Sequence, residues 1–191
     1  MTYETALELI AKYGNGLPWT DHCVAVSKLA VHLGEHLPDT ANIDVDFLRS
    51  ASLVHDIGRY RDHHPIIHGV EGFRLLSGLG YAREAFICAS HTLHGLKRTD
   101  AVKYGLPDMD FIPGTLEEKL IAISDSLMDH TSPTTLDKRF KSLRARYKSN
   151  HDFMNRLDEA EHTARLTIDM FNEKFGLSIE QIAINAFHDR T

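Results

Sequence analysis

The spacing of apolar residues constrains this chain more than any other feature. They recur every three or four positions almost throughout, and period-two alternation is nearly absent. A chain patterned this way buries helical stripes rather than sheet faces, so the expected fold class is all-α. Leu7, Ile10 and Ala11 predict a first helix that stops before Gly14 and Gly16, with glycine as the expected left-handed stop. A second runs over about 18–37, opened by Pro18 and closed by Pro38. Asp44 is placed to cap a third helix carrying Phe47, Leu48, Ala51, Leu53 and Val54, with Gly58 as its expected terminator. That helix delivers His55 and Asp56 at its C-terminal end.

Residues 59–66 read as a loop, followed by a fourth helix with His68 at its start and Gly78 and Gly80 at its end. A fifth is expected from Ala82 to about His94, which places His91 and His94 three apart on one helical face. Residues 95–115 are the least regular and suit a lid or binding loop, broken by a short helical piece near 100–104. Thr115 with Glu118 forms a capping-box pattern ahead of a helix carrying Asp125. Helices over about 135–148, 152–175 and 178–187 complete the chain. With 191 residues, no internal repeat and no linker-like segment, the expectation is a single domain over 1–191.

Composition narrows the function classes. At 42% hydrophobic and 25% charged residues, the chain has the makeup of a packed globular fold rather than a disordered one. A net charge of −6 argues against broad binding to nucleic acid or anionic membranes, so any phosphate contact is local. No apolar run approaches the roughly 18 residues of a membrane span, and the first residues lack a basic stretch ahead of an apolar one. Cys23 and Cys88 form neither a Cys-x-x-Cys pair nor a disulfide framework, which fits a reducing, cytoplasmic setting. The unusual count is 13 histidines, of which His55, His63, His64, His68, His91 and His94 crowd between positions 55 and 94.

His22, the adjacent pair His55 and Asp56, and Asp125 are the leading candidate metal ligands, with His68 and His91 as further ones. They come from five different predicted helices, and a helical bundle can project such side chains into one interior. Imidazole and carboxylate without thiolate suit Fe, Mn, Zn or Mg and speak against a closed structural zinc cage. From spacing alone His63, His64 and His94 compete for the outer positions, and His94 is the main rival of His91.

The run Val54-His55-Asp56-Ile57-Gly58-Arg59, preceded by His22 and followed by Asp125, resembles the HD-domain superfamily of metal-dependent phosphohydrolases, whose signature is the order H…HD…D. The likeness covers about residues 18–130, and the tail over about 131–191 matches no motif. His68 in His-Gly-Val-Glu-Gly and His91 in Ser-His-Thr-Leu-His-Gly resemble the superfamily's two-metal subset. The resemblance implies one or two divalent ions. His22, His55, Asp56 and Asp125 would hold the first, and Asp56 would bridge to a second held by His68 and His91.

Two such ions can lower the pKa of a shared water and neutralise a phosphoryl group, so no protein nucleophile is needed. Asp56 and Arg59 are then the catalytic candidates. Arg59, Lys97 and Arg98 are the candidates for binding substrate phosphate, because guanidinium forks and ammonium groups match its oxygens. The expected activity is hydrolysis of a phosphate ester or anhydride of a small metabolite, a nucleotide in particular. A di-iron oxygenase and a catalytically silent regulatory module are the alternatives. The expected partner is a small phosphate-bearing substrate, not extended nucleic acid or membrane, and an oligomer is compatible with the sequence.

Overall fold

The computed structural model describes residues 1–187; the last four residues of the expected domain, 188–191, lie outside the described part. The described chain is all-α apart from two-residue strands. Its helices are α1 (Tyr3–Gly14), α2 (Pro18–Glu35), α3 (Val45–Val54), α4 (Ile67–Gly78), α5 (Ala82–Ser90), α6 (Arg98–Lys103), α7 (Leu116–Ser126), α8 (Leu136–Arg146), α9 (His151–Phe175) and α10 (Ile179–Asn185). No described helix is long and apolar enough to cross a membrane.

Local chemistry sets most of the boundaries. Pro18 opens α2, the Asp44 carboxylate accepts from the Phe47 amide at the start of α3, and Thr115 with Glu118 closes a full capping box on α7. The stop of α1 differs from expectation. Asn15, at φ 44°, takes the left-handed position, because a short side chain that can bond its own backbone tolerates it almost as glycine does.

Gly58 does not terminate α3. The helix ends at Val54, and Gly58 sits inside a following 3-10 turn, Ile57–Tyr60. Its role is close approach: a Cβ there would lie 1.9 Å from the His68 carbonyl oxygen. Gly69 does the same one layer further on, where a Cβ would lie 2.5 Å from the Cys88 carbonyl oxygen. The missing side chains let the turn, α4 and α5 stack backbone to backbone, which draws the histidines of three segments together.

The fifth helix is shorter than periodicity implies. It stops at Ser90, and Leu93 and His94 take positive φ of 54° and 57° ahead of Gly95. His91 and His94 therefore do not share a helical face. The irregular stretch is pinned by a bridge between Leu96 and Phe111 and contains α6. After α7 a small hairpin pairs β1 (Met128–Asp129) with β2 (Ser132–Pro133) and turns through His130 at φ 55°.

The core lies chiefly between α2, α3 and α7, with α9 and α10 packed over it through Phe153, Leu157, Phe171 and Ile179. A second apolar cluster joins α1 to the start of α2 and the end of α3 through Ile10, Trp19, Cys23 and Val54.

Candidate metal centre

His55 and Asp56 emerge where α3 gives way to its 3-10 turn, and both are buried. Around them close His22 from α2, His68 from the first turn of α4, His91 at the end of α5, and Asp125 near the end of α7. His22 Nε2 lies 2.9 Å from Asp125 Oδ1, and His55 Nε2 lies 3.8 Å from the same oxygen. On the other side Asp56 Oδ1 lies 2.9 Å from His68 Nε2 and 3.4 Å from His91 Nε2. Two overlapping groups could each hold a metal ion, His22 with His55 and Asp125, and His55 with Asp56 and His91.

The protonation of the rings follows from their outer nitrogens. Nδ1–H donates to the backbone carbonyl of His130 in His22, of Ser52 in His55, of His64 in His68 and of Ile87 in His91, at 2.6 to 3.1 Å. A carbonyl can only accept, so each Nδ1 carries a proton, and in the neutral ring Nε2 presents a lone pair inward. Burial lowers the pKa of His55 to about 4 and also lowers that of His68, where Arg59 adds to the effect, so both rings are neutral at pH 7.

Around His55, His68 and His91 the centre therefore holds acceptors without hydrogens to share, whereas His22 Nε2 hydrogen-bonds Asp125. His68 Nε2 and His91 Nε2 face each other at 3.2 Å, and His55 Nε2 and Asp56 Oδ1 are buried with no hydrogen-bond partner. Buried acceptors left this way are costly, and a bound cation could satisfy them together. The donor set suits a divalent ion of borderline or hard character.

Burial would raise both carboxylates, but charge overrides it. Arg59 and the adjacent imidazoles hold Asp56 well below the usual range, and the His22 hydrogen bond and Arg139 do the same for Asp125. Both are anionic. For His22 burial works downward, yet the hydrogen bond and charge of Asp125 outweigh it and raise its pKa. Arg59 Nε donates to Asp56 Oδ2, so this arginine orients a candidate ligand as well as facing the pocket.

The structure brings His22, His55, Asp56, His68, His91, Asp125 and Arg59 together. His91 is the one beside Asp56, while His94 bonds through Nε2 to Ser126 Oγ at 2.8 Å. Lys97 and Arg98 are not brought to the cluster. Lys97 caps α6 and Arg98 opens it, both exposed, where Lys97 pairs with Glu159 at 2.5 Å and Arg98 Nη2 with Asp108 at 2.5 Å.

Beside Arg59, the basic residues that reach the site are Arg139 and Arg146, both from α8 and both missed by motif reading. Arg139 is buried, with Nη2 3.7 Å from Asp125 Oδ1 and Nη1 3.2 Å from Asp129 Oδ1, the oxygen that Arg146 Nη2 also meets at 3.2 Å. His130 was also missed, since its part is played by a backbone carbonyl that side-chain type does not encode. An i, i+7 pair of arginines on one helix was the available signal for the first two.

An all-helical protein with a buried imidazole and carboxylate cluster is the class that fold and site define. The HD domain family matches residues 19–129, and the chain belongs to that family. HD domains bind divalent metals, and the two groups above could hold one. An uncharacterized protein of Methanocaldococcus jannaschii is 37% identical over 139 residues, 72% of this chain and 82% of that protein. A tRNA (cytidine(56)-2'-O)-methyltransferase of Thermoplasma volcanium is 34% identical over 63% of this chain and 35% of its own length. The enzyme of that name from Picrophilus torridus is 32% identical over 56% and 30%. No solved structure matches.

Proposed function

We propose that this chain is a metal-dependent phosphohydrolase of a small phosphorylated metabolite, a nucleotide being the leading case. The observation that carries the reading is the inward convergence of four imidazole Nε2 atoms on two ionised carboxylates, beside three arginines. His22, His55, Asp56 and Asp125, with His68 and His91, would hold one or two divalent ions drawn from Fe, Mn, Zn or Mg. Bound there, such an ion supplies a water of lowered pKa and offsets phosphoryl charge.

The chain's own residues supply the rest. Five backbone-directed or carboxylate-directed contacts hold the ring planes and the Asp56 carboxyl in place: the four Nδ1–H bonds and the Arg59 contact. Arg59, Arg139 and Arg146 offer forked donors to phosphate oxygens. These arginines favour phosphate chemistry over the oxygenase alternative, which would use the same ligands but has no need of an anion-binding wall.

Two relatives carry names of tRNA-modifying enzymes, but this chain matches only 35% and 30% of their lengths. The net charge of −6 and a cleft of about 270 Å³ support a small substrate over extended nucleic acid or membrane. Two free, buried cysteines suit a cytoplasmic location. Elemental analysis of protein purified without added metal, followed by phosphate release from a nucleotide panel and by oxygen uptake, tests the reading. Bound divalent metal with phosphate release is expected; oxygen uptake without phosphate release would replace it with the oxygenase.

A further inference from the structure

Three side chains on one face of α8 converge on a single carboxylate outside the ligand cluster. Asp129 Oδ1 accepts from Arg139 Nη1 and from Arg146 Nη2, each at 3.2 Å, and Asp129 Oδ2 lies 3.5 Å from Ser142 Oγ. Positions 139, 142 and 146 follow one another at three- and four-residue spacing, so the face that α8 turns to Asp129 is the face that carries both arginines. Among the described residues, Asp129 is the one hydrogen-bond partner of either guanidinium group. Arg139 Nη2 stands 3.7 Å from Asp125 Oδ1, beyond hydrogen-bond reach, and Arg139 Nε is buried without a partner.

Asp129 belongs to β1, and the next residue, His130, gives its carbonyl to His22 Nδ1–H at 2.6 Å. One short hairpin therefore fixes a candidate ligand ring through its backbone and two arginines through a side chain. Arg139 and Arg146 line both cavities that open on the cluster, whereas Asp129 lines neither. An arginine side chain is long and flexible, and a substrate that must first immobilise two of them binds more weakly for it. A carboxylate that holds both in advance places that ordering in the folding of the chain. We infer that Asp129 is a positioning residue, which sets Arg139 and Arg146 to receive the phosphoryl group of the substrate without itself touching substrate or metal. The inference rests on the phosphohydrolase reading above.

Charge and position pull in opposite directions at Asp129. Removing a negative charge from beside the site strengthens anion binding by Coulomb attraction, whereas releasing two arginines weakens it. The sign of the change in Asp129→Asn therefore separates a positioning residue from a neighbour that only adds its charge.

The test is the binding of inorganic phosphate to the metal-loaded protein, measured by isothermal titration calorimetry. Asp129→Asn, nearly the same in shape, should raise the Kd about 10-fold and leave the metal content as it is in the wild type. In a chain that already carries Arg139→Gln and Arg146→Gln, the same change should move the Kd by less than about 2-fold, because nothing is left to position. Should Asp129→Asn fail to fold by stranding the Arg139 charge, Arg139→Gln removes that charge, and in its background Asp129→Asn should raise the Kd about 3-fold through Arg146 alone. Phosphate bound by Asp129→Asn as tightly as by the wild type or more so, or an undiminished loss in the background lacking both arginines, overturns the inference and leaves the phosphohydrolase reading standing. A wild-type protein that holds metal but binds no phosphate removes that reading, and the inference falls with it.

Discussion

The family-matched segment, residues 19–129, and the helices beyond it treat charge in opposite ways. In the first, Asp56 and the imidazoles of His55, His68 and His91 are buried with acceptor atoms turned on one another, and His22 and Asp125 are half-buried beside them. In the second, charged groups mostly pair at the surface, as in Arg144 with Asp158 and Arg165 with Asp137. Exposed pairs of that kind contribute about 0–1 kcal/mol each. Arg139 is the exception, buried and reaching back to Asp125. On the proposed function the contrast is a division of work: the matched segment would supply the ligands and Arg59, and α8 would add two further guanidinium groups for the substrate.

The sharpest way to break that division is Asp56→Ala. It removes the carboxylate that meets both His68 and His91, so metal content and phosphate release should fall to background together; normal turnover in this variant would end the assignment. Next comes Gly58→Ala. A methyl group 1.9 Å from the His68 carbonyl forces the turn away from α4 and should cost roughly 3 kcal/mol in urea unfolding, because backbone cannot yield as a side-chain tip can.

A pH profile of the metal-free protein follows. Burial depresses His94, like His55, from 6.5 to about 4, so between those values the unfolded chain binds more protons than the folded one. Stability should fall as pH drops through that window, by about 3 kcal/mol for His94, and His94→Gln should flatten the profile. Arg139→Gln should lower kcat/KM by about 10- to 100-fold, the weight of one charge-assisted hydrogen bond, with metal content unchanged. Arg59→Ala differs in kind, since Arg59 also holds Asp56, and metal affinity should weaken with it by about 10-fold or more. Smallest of all, Lys97→Ala with Arg98→Ala should change kcat/KM by less than about 2-fold, as neither side chain reaches the pocket that the other arginines line.

The helices and the six ligand candidates were legible because both are written in side-chain type and spacing. Helical periodicity located α2, α3 and α7, and the order of His22, His55, Asp56 and Asp125 marked positions that the fold brings within a few ångströms. What stayed hidden depends on backbone. The positive φ at Leu93 and His94 splits His91 from its rival, and a Leu there gives no hint of it in the sequence. The His130 carbonyl that fixes the His22 ring is available from any residue type. Lys97 and Arg98 read as basic residues of a lid at the site, yet they are exposed and paired with Glu159 and Asp108 instead. Arg139 and Arg146 sit among other basic residues of a polar helix, where only the docking of α8 selects them.

The proposed function requires a cation that satisfies the inward acceptors of His55, His68, His91 and Asp56 and replaces the proton that His22 shares with Asp125. The direct measurement is the divalent metal content per chain, by elemental mass spectrometry, of protein purified without added metal and again after equilibration with manganese, iron or zinc. At least one equivalent, lost in Asp56→Ala, is the predicted result; a chain that arrives empty and stays empty after equilibration would contradict it.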